Sequence, residues 1–183
     1  MDNKTKIMNA SLKLFATKGF HGTSTAKIVE ASGVSNGSLF YYFKSKEELI
    51  NTLYITNKEK YKDYILSCVD ELTPTKKTIK QLWNWCVNWQ FQNQECVEFF
   101  TIYSNSPYID TISKEEATRN FDFVSNVIEG LKDEGLIVNL HLEILENTFY
   151  ASALAAYRFL LNHPDENKEV IFDLWWRSVA KDD

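Results

Sequence analysis

The stretch GVSNGSLFYYFKSKEEL, from Gly33 to Leu49, decides how this 183-residue chain is interpreted. Its Asn-Gly pair is typical of a hairpin turn, and a glycine with two serines weakens a helix interior. However, Gly33 suits the left-handed position that ends one helix, and Ser35 can cap the start of the next. Ser45 to Glu48 then form an S-x-x-E capping box, which starts a further helix. The stretch therefore predicts a short helix between two tight turns.

A helix over residues 36–43 would have two unlike sides, because successive residues are about 100° apart. The inward sector contains Leu39, Phe40, Phe43 and, close to it, Asn36. The outward sector contains Gly37, Ser38 and Tyr41, with Tyr42 at its edge. Small outward residues let the helix approach another surface closely, and Tyr and Lys can donate to phosphate oxygens. The alternatives are ordinary surface packing of the tyrosines and a solvated face for Lys44 and Lys46.

Helical patterns cover the rest of the chain. Ser24 can cap a helix from Thr25 to about Ser32, which forms a helix-turn-helix with the helix over 36–43. The pattern VNLHLEI at 138–144 alternates like a strand, but it has no convincing partner, so a loop to about Leu140 and a helix from about His141 to Asn162 are expected instead. Further helix starts are predicted at Thr73-Pro74, at the capping box Ser113–Glu116, near His141 and at Pro164-Asp165. The expected fold is all-α, with about nine helices: an N-terminal helix-turn-helix domain over 1–47 and a larger helical domain over 48–183.

Charge is distributed unevenly. Residues 1–50 hold seven lysines and four acidic residues, although the whole chain carries a formal charge of −5. This basic portion on an acidic body suggests a polyanionic partner at one end. The three cysteines lack a CxxC pair, the first residues do not resemble a signal peptide, and no apolar run approaches the roughly 20 residues of a membrane span. We therefore expect a cytoplasmic protein without membrane contact.

Residues 15–49 resemble the DNA-binding domain of the TetR family of bacterial transcriptional regulators. The matching positions are Phe15, Gly19-Phe20, Thr23 to Thr25, Ile28, Ala31, Gly33 to Ser35, Gly37, Leu39 and Tyr42 to Glu47. The resemblance implies a homodimer that binds a palindromic double-stranded operator with helix 36–43 in the major groove. It implies phosphate contacts from Thr25, Tyr41, Tyr42 and Lys46, and base contacts from Asn36, Gly37 and Ser38. Ser35 and Lys44 complete the predicted DNA-binding set, whereas Phe40 departs from the tyrosine that many relatives carry.

The basic portion contains no arginine. The commonest specific contact, arginine to guanine, is therefore impossible there, while asparagine prefers adenine. This predicts a half-site rich in A·T pairs.

The resemblance also implies a repressor that is released when a small molecule, apolar or aromatic, binds residues 48–183 and shifts the fourth helix. Pocket candidates are Trp85, Asn88, Trp89, Gln92, Phe100, Tyr103, Phe121, Tyr150 and Arg158. The alternative is that the aromatic residues only fill the core. Candidates for the dimer interface are Ala151, Ser152, Ala155, Phe159, Ile171, Leu174, Trp175 and Ser178. For the small residues among them, the alternative is close packing within one subunit.

An enzyme is a competing class, but the three histidines are scattered and no metal-ligand spacing occurs, so neither catalysis nor a metal or cofactor is expected. The remaining alternative is a helical protein-interaction adaptor, or an enzyme-like ligand-binding protein, with a structural helical hairpin at its front. Salt-sensitive, specific DNA binding would distinguish a regulator from both.

Overall fold

The computed structural model describes residues 1–69, 71–107 and 122–181. Nine helices occur within these ranges, which confirms the all-α fold class. They are α1 (Asn3–Lys18), α2 (Thr25–Ser32), α3 (Asn36–Tyr42), α4 (Lys46–Ser67), α5 (Lys76–Gln92), α6 (Gln94–Ser104), α7 (Asp122–Asp133), α8 (Leu142–Asn162) and α9 (Glu169–Val179). None of these helices is long and apolar enough to cross a membrane.

The described residues fall into two compact units. The first contains 1–60 and 93–107, and the second contains 61–69, 71–92 and 122–181. Helix α4 therefore starts in the first unit and ends in the second. This division rests on contacts between residues. The predicted boundary after residue 47 instead separates the DNA-binding domain from the rest by function, and it stays a prediction.

The caps of the front helices lie where the sequence predicts them. The Ser24 hydroxyl accepts from the Lys27 backbone N–H, and Gly33 ends α2 with a left-handed φ of 65°. The Ser35 hydroxyl accepts from the Ser38 N–H over 3.1 Å. Ser45 caps α4 in the same way through Glu48 N–H, at 3.0 Å. Since these bonds join residues close in sequence, local pattern was sufficient to find them.

An aromatic core holds the first unit together. Phe15 of α1 and the following Phe20 pack edge-on at 5.2 Å, and both contact Phe99 of α6. Tyr103 of α6 stacks on Tyr54 at a centroid distance of 4.0 Å. Buried residues of α1, α2, α3, α4 and α6 belong to this core, and α1 contacts both α2 and α3.

The second unit packs α5, α7 and α9 around α8. Its fully buried side chains include Trp83, Phe149, Tyr157 and Phe172. The Trp83 indole N–H donates to Ser152 Oγ over 2.8 Å, which satisfies the polar atom of a buried aromatic side chain.

Two predicted helix starts were wrong by a few residues. Helix α5 begins at Lys76 with Thr75 as its cap, because the Thr75 hydroxyl accepts from the Thr78 N–H. Helix α9 begins at Glu169 rather than at Pro164, and Asn167 accepts from the Glu169 N–H before it. The segment before α8 is a loop, as predicted, and forms one isolated bridge, Ile137 to Ala180. The Ser113–Glu116 capping box lies outside the described residues.

Candidate nucleic-acid interface

Helix α3 presents a continuous exposed side. Asn36 and Gly37 in its first turn are exposed, and Tyr41 is 81% exposed. Its opposite side is anchored by Leu39, which is 2% exposed and belongs to the core of the first unit. Exposure of Gly37 and Tyr41 confirms the outward sector expected from the sequence, while Ser38 and Tyr42 are half-buried at its edge.

Phe40 was expected to face inward, and this was wrong, because the structure leaves it 44% exposed. The expectation treated Leu39 and Phe43 as residues of one ideal helix, and it placed Phe40 in the inward sector between them. Phe43 is the C-terminal cap, with φ −137° and ψ 109°, so its side chain does not follow the helical period. Asn36 is likewise exposed rather than inward. We call Asn36, Gly37, Phe40 and Tyr41 the exposed face of α3.

Side chains beside this face supply hydroxyl and ammonium groups. Thr25 is the half-buried first residue of α2, and Ser35 is the exposed cap of α3. The Tyr42 ring contacts the Tyr41 ring edge-on, with centroids 5.0 Å apart. Lys44 is exposed, and its backbone N–H donates to the Glu48 carboxylate over 2.8 Å. The four side chains thus flank α3 on the same compact unit.

Lys46 has an intramolecular role in this structure. Its ammonium group donates to the backbone carbonyl of Phe20 and lies 6.0 Å from the centroid of the Phe15 ring. Partial burial lowers the pKa of Lys46. An ammonium group has three N–H donors. The bond to Phe20 therefore leaves donors that a phosphate could use.

Asn3 joins this region although the sequence did not single it out. Its side-chain amide nitrogen donates to Ser38 Oγ over 3.2 Å. The two residues are 35 positions apart, so no local pattern signals the contact.

The predicted pocket residues occupy different environments. Phe100 and Tyr103 belong to the first unit, where the Tyr103 hydroxyl donates to Asn51 and Lys58 lies over the Phe100 ring. In the second unit Trp89 is buried against Tyr61, with ring centroids 4.4 Å apart, and burial raises the pKa of Tyr150. The others in this unit are Trp85 and Asn88, both half-buried, and Gln92 and Arg158, both exposed. Phe121 lies outside the described residues. Trp89 and Tyr103 are therefore buried within their units, and whether the aromatic residues line a ligand site stays a prediction.

A cleft of about 330 Å³ opens on the second unit near the end of α8. Its lining consists of Phe91, Leu160, Pro164, Glu166, Asn167 and Lys168, none of which the sequence suggested. The Lys168 ammonium donates to Asn88 Oδ1 over 2.9 Å, and burial lowers the pKa of Lys168. The cleft thus combines apolar walls with a positioned cation.

The predicted dimer residues divide into surface and core. Ala151, Ala155, Phe159, Leu174 and Ser178 are exposed on α8 and α9, and Ile171 is half-buried. Trp175 is buried instead, and its indole N–H donates to Thr148 Oγ1 over 3.2 Å. Ser152 accepts the Trp83 indole N–H within the subunit. Two apolar side chains that the sequence did not suggest, Ile144 and Val170, are 51% and 65% exposed on the same two helices.

Known proteins share both the front segment and the whole fold. The family model described as "Bacterial regulatory proteins, tetR family" matches residues 7–53. The HTH-type transcriptional regulator LmrA of Bacillus subtilis (strain 168) is 31% identical over 86 residues, which are 44% of this chain and 46% of LmrA. The alignment therefore spans less than half of that curated relative.

Solved structures extend the similarity over the full length. A tetR family protein from Shewanella sp. PV-4 superimposes with a TM-score of 0.91 at 30% identity and covers 100% of both chains. A TetR family transcription regulator from Marinobacter aquaeolei VT8 gives a TM-score of 0.86 at 20% identity, over 98% of this chain and 96% of that one. The second likeness concerns the fold, whereas the first combines fold and sequence along the entire chain. The chain therefore belongs to the TetR family of bacterial regulatory proteins.

Proposed function

We propose that the protein is a ligand-responsive transcriptional repressor that binds a palindromic DNA operator as a homodimer. The observation that carries this proposal is the exposed face of α3, which Leu39 anchors in the core of the first unit within a TetR-family helix-turn-helix. Asn36, Gly37 and Phe40 are exposed, and the edge-on contact with Tyr42 still leaves Tyr41 81% exposed. Helices of this motif read DNA in the major groove.

The residues on and beside this face divide into two kinds of contact. Asn36, Gly37 and Ser38 are proposed to meet base edges, because they lie in the first turn of α3. Thr25, Ser35, Tyr41, Tyr42, Lys44 and Lys46 are proposed to bind phosphates and fix the orientation on the duplex. Phe40 offers an apolar side chain that suits the methyl group of thymine. This contact would strengthen the preference for A·T pairs.

Dimerisation is supported by exposed apolar side chains on the last two helices. Leu174 is 70% exposed and Val170 65% exposed on α9, while Ile144 and Phe159 are exposed on α8. Exposed Ala151 and Ala155 would let two copies of α8 approach closely. Because a twofold axis places the same patch on both subunits, one apolar strip suffices for both sides of the interface. We leave Trp175 and Ser152 out of this interface, since both are engaged within the subunit.

The oligomeric state tests this part of the proposal. Leu174→Glu places a charge in the apolar strip and should yield a monomer by sedimentation or light scattering at micromolar concentration. Glu166→Gln, an exposed change on the loop before α9, serves as the control and should leave the dimer intact. A dimeric Leu174→Glu protein would contradict an interface on this strip, and a monomeric wild type would contradict dimerisation itself.

The proposed effector is a small apolar or aromatic molecule that binds residues 48–183. Support comes from the aromatic content of the second unit and from the cleft beside Lys168, where Phe91 and Leu160 give apolar walls. Helix α4 leads from the first unit into the second, so a ligand that favours one position of α4 would shift the DNA-binding equilibrium.

Fluorescence anisotropy with DNA that flanks the protein's own gene tests the function. We expect specific binding whose affinity falls steeply with salt. Lys44→Ala should weaken binding and lower the slope of log K against log salt by about 1. Lys60→Ala, which removes an exposed lysine on α4 outside the helix-turn-helix, is the control and should leave both unchanged. Absence of DNA binding, with and without added metabolites, would overturn the proposal in favour of an adaptor or another ligand-binding role.

A further inference from the structure

Asn3 is the first residue of α1, yet its side chain reaches the DNA-facing helix. The Asn3 amide nitrogen lies 3.2 Å from Ser38 Oγ and donates to it. Asn3 is exposed and Ser38 is half-buried, so the contact lies at the edge of the exposed face of α3.

The start of α1 is held in place rather than frayed. The Asp2 carboxylate caps the helix, since it accepts from the Thr5 backbone N–H and the Thr5 hydroxyl, each at 2.9 Å. Ile7, one turn further along, is fully buried, and α1 packs against α2 and α3. Asn3 is therefore presented to Ser38 by a fixed helix end.

This contact restricts the ways in which the Ser38 hydroxyl can act. An amide NH₂ group is a donor only, so the bond from Asn3 occupies one of the two acceptor lone pairs of the Ser38 oxygen. The hydroxyl proton of Ser38 has no partner among the described residues, and the neighbouring Ser35 oxygen already accepts from the Ser38 backbone N–H. The Ser38 hydroxyl is thus left to donate its proton outward.

We propose that Asn3 is a positioning residue for base specificity: it holds Ser38 as a hydrogen-bond donor to the DNA. The proposal rests on the proposed function, in which the first turn of α3 meets base edges. In the major groove adenine, guanine and thymine present acceptors, whereas cytosine presents an amino donor. Ser38 fixed by Asn3 therefore disfavours cytosine at one position of the contacted strand.

Selection of binding sites from random DNA by wild type and variants tests this inference. Wild type should disfavour cytosine at one half-site position. In Asn3→Ala both lone pairs of the Ser38 oxygen become available to the cytosine amino group and the hydroxyl can rotate, so discrimination at that position should fall about 2- to 10-fold, the range of one hydrogen bond. Ser38→Ala should lose the same discrimination, and the double variant should lose no more than Ser38→Ala alone.

Asn9→Ala is the matched control, because Asn9 is exposed on the same helix and contacts Met1 Sδ rather than α3. It should leave every position of the selected site unchanged. A second readout needs no DNA: Ser38→Ala should shift the side-chain amide resonance of Asn3 in an NMR spectrum, but not that of Asn9.

The outcomes distinguish failure of the positioning role of Asn3 from failure of the proposed function. If wild type selects a site and Asn3→Ala leaves its base preferences intact, the positioning role is overturned while the regulator stands. The positioning role is also overturned if Asn3→Ala lowers base discrimination equally at all positions, or if the side-chain amide resonance of Asn3 does not shift in Ser38→Ala. If wild type selects no sequence, the proposed function itself fails, whatever the NMR spectrum shows of the Asn3–Ser38 bond.

Discussion

Replacement of Gly37 by alanine should separate the stability of this protein from its DNA binding. Gly37 lies exposed in the first turn of α3, and among the residues that the structure describes a Cβ atom placed there would meet only Ser35 Oγ, at 4.0 Å. Its φ is not positive, unlike that of Gly19, Gly33 and Gly135, so alanine adopts the same backbone without strain. In the free protein, then, nothing opposes the added methyl group.

The substitution should have opposite effects on stability and on DNA affinity. Alanine restricts the unfolded chain, so the free energy of unfolding should rise by about 0.4–1 kcal/mol. On DNA the same methyl group would stand between the first turn of α3 and the bases. The loss of one good base contact costs about 1–3 kcal/mol, which corresponds to roughly 5- to 150-fold weaker binding.

Both effects are measurable on one preparation, by denaturant unfolding and by anisotropy titration at fixed salt. Asn9→Ala is again the control, because it also adds helix propensity at an exposed site of the first unit and should leave affinity unchanged. Wild-type affinity in Gly37→Ala would refute a close approach of α3 to DNA. A destabilised Gly37→Ala protein would refute the reading of its local structure.

Three further predictions concern packing and capping. Ser11 is fully buried, and its hydroxyl has no hydrogen-bond partner in the described residues. Ser11→Ala should therefore raise the free energy of unfolding by about 1 kcal/mol. A lower free energy of unfolding, measured by denaturation, would contradict this. A Cβ atom on Gly130 would lie 2.6 Å from Pro74 Cβ. Gly130→Ala should therefore lower the free energy of unfolding by about 1–3 kcal/mol, despite its gain in helix propensity. An unchanged free energy of unfolding would show that the proline ring moves to make room. Hydrogen bonds from Thr5 lower the pKa of Asp2, so this cap contributes stability above the unfolded pKa and loses it as pH falls through the folded one. An NMR titration should place the pKa of Asp2 below the usual value of an aspartate side chain, and an ordinary or raised pKa would contradict the cap.

Local chemistry in the sequence was enough to locate the front helices. Gly33 and the capping serines act on residues within four positions of themselves, so their roles can be read without knowledge of the fold. The same holds for the helical period of α4, which runs uninterrupted from Lys46 to Ser67. Family membership could also be anticipated from the ordered pattern over residues 15–49.

Contacts between distant residues were not predictable in this way. Phe40 was misplaced because the helix ends at Tyr42, so the period could not be extended to Phe43. Trp175 is buried and its indole N–H donates to Thr148 on α8, a contact that composition does not reveal. The Asn3–Ser38 bond and the cleft beside Lys168 likewise depend on packing between helices. The assignment of bases, phosphates and ligand to particular residues remains a set of predictions.

Selection from random double-stranded DNA tests the proposed operator binding with the fewest assumptions, because it presupposes neither an operator nor a gene. We predict enrichment of one palindromic site, with A·T-rich half-sites spaced for successive major grooves, about 34–36 Å apart. Gly37→Ala should weaken this enrichment, in keeping with its roughly 5- to 150-fold loss of affinity, although the protein remains folded. Failure of the folded wild-type dimer to enrich any sequence, or recovery of half-sites with G·C cores at the α3 contacts, would overturn the proposed DNA recognition.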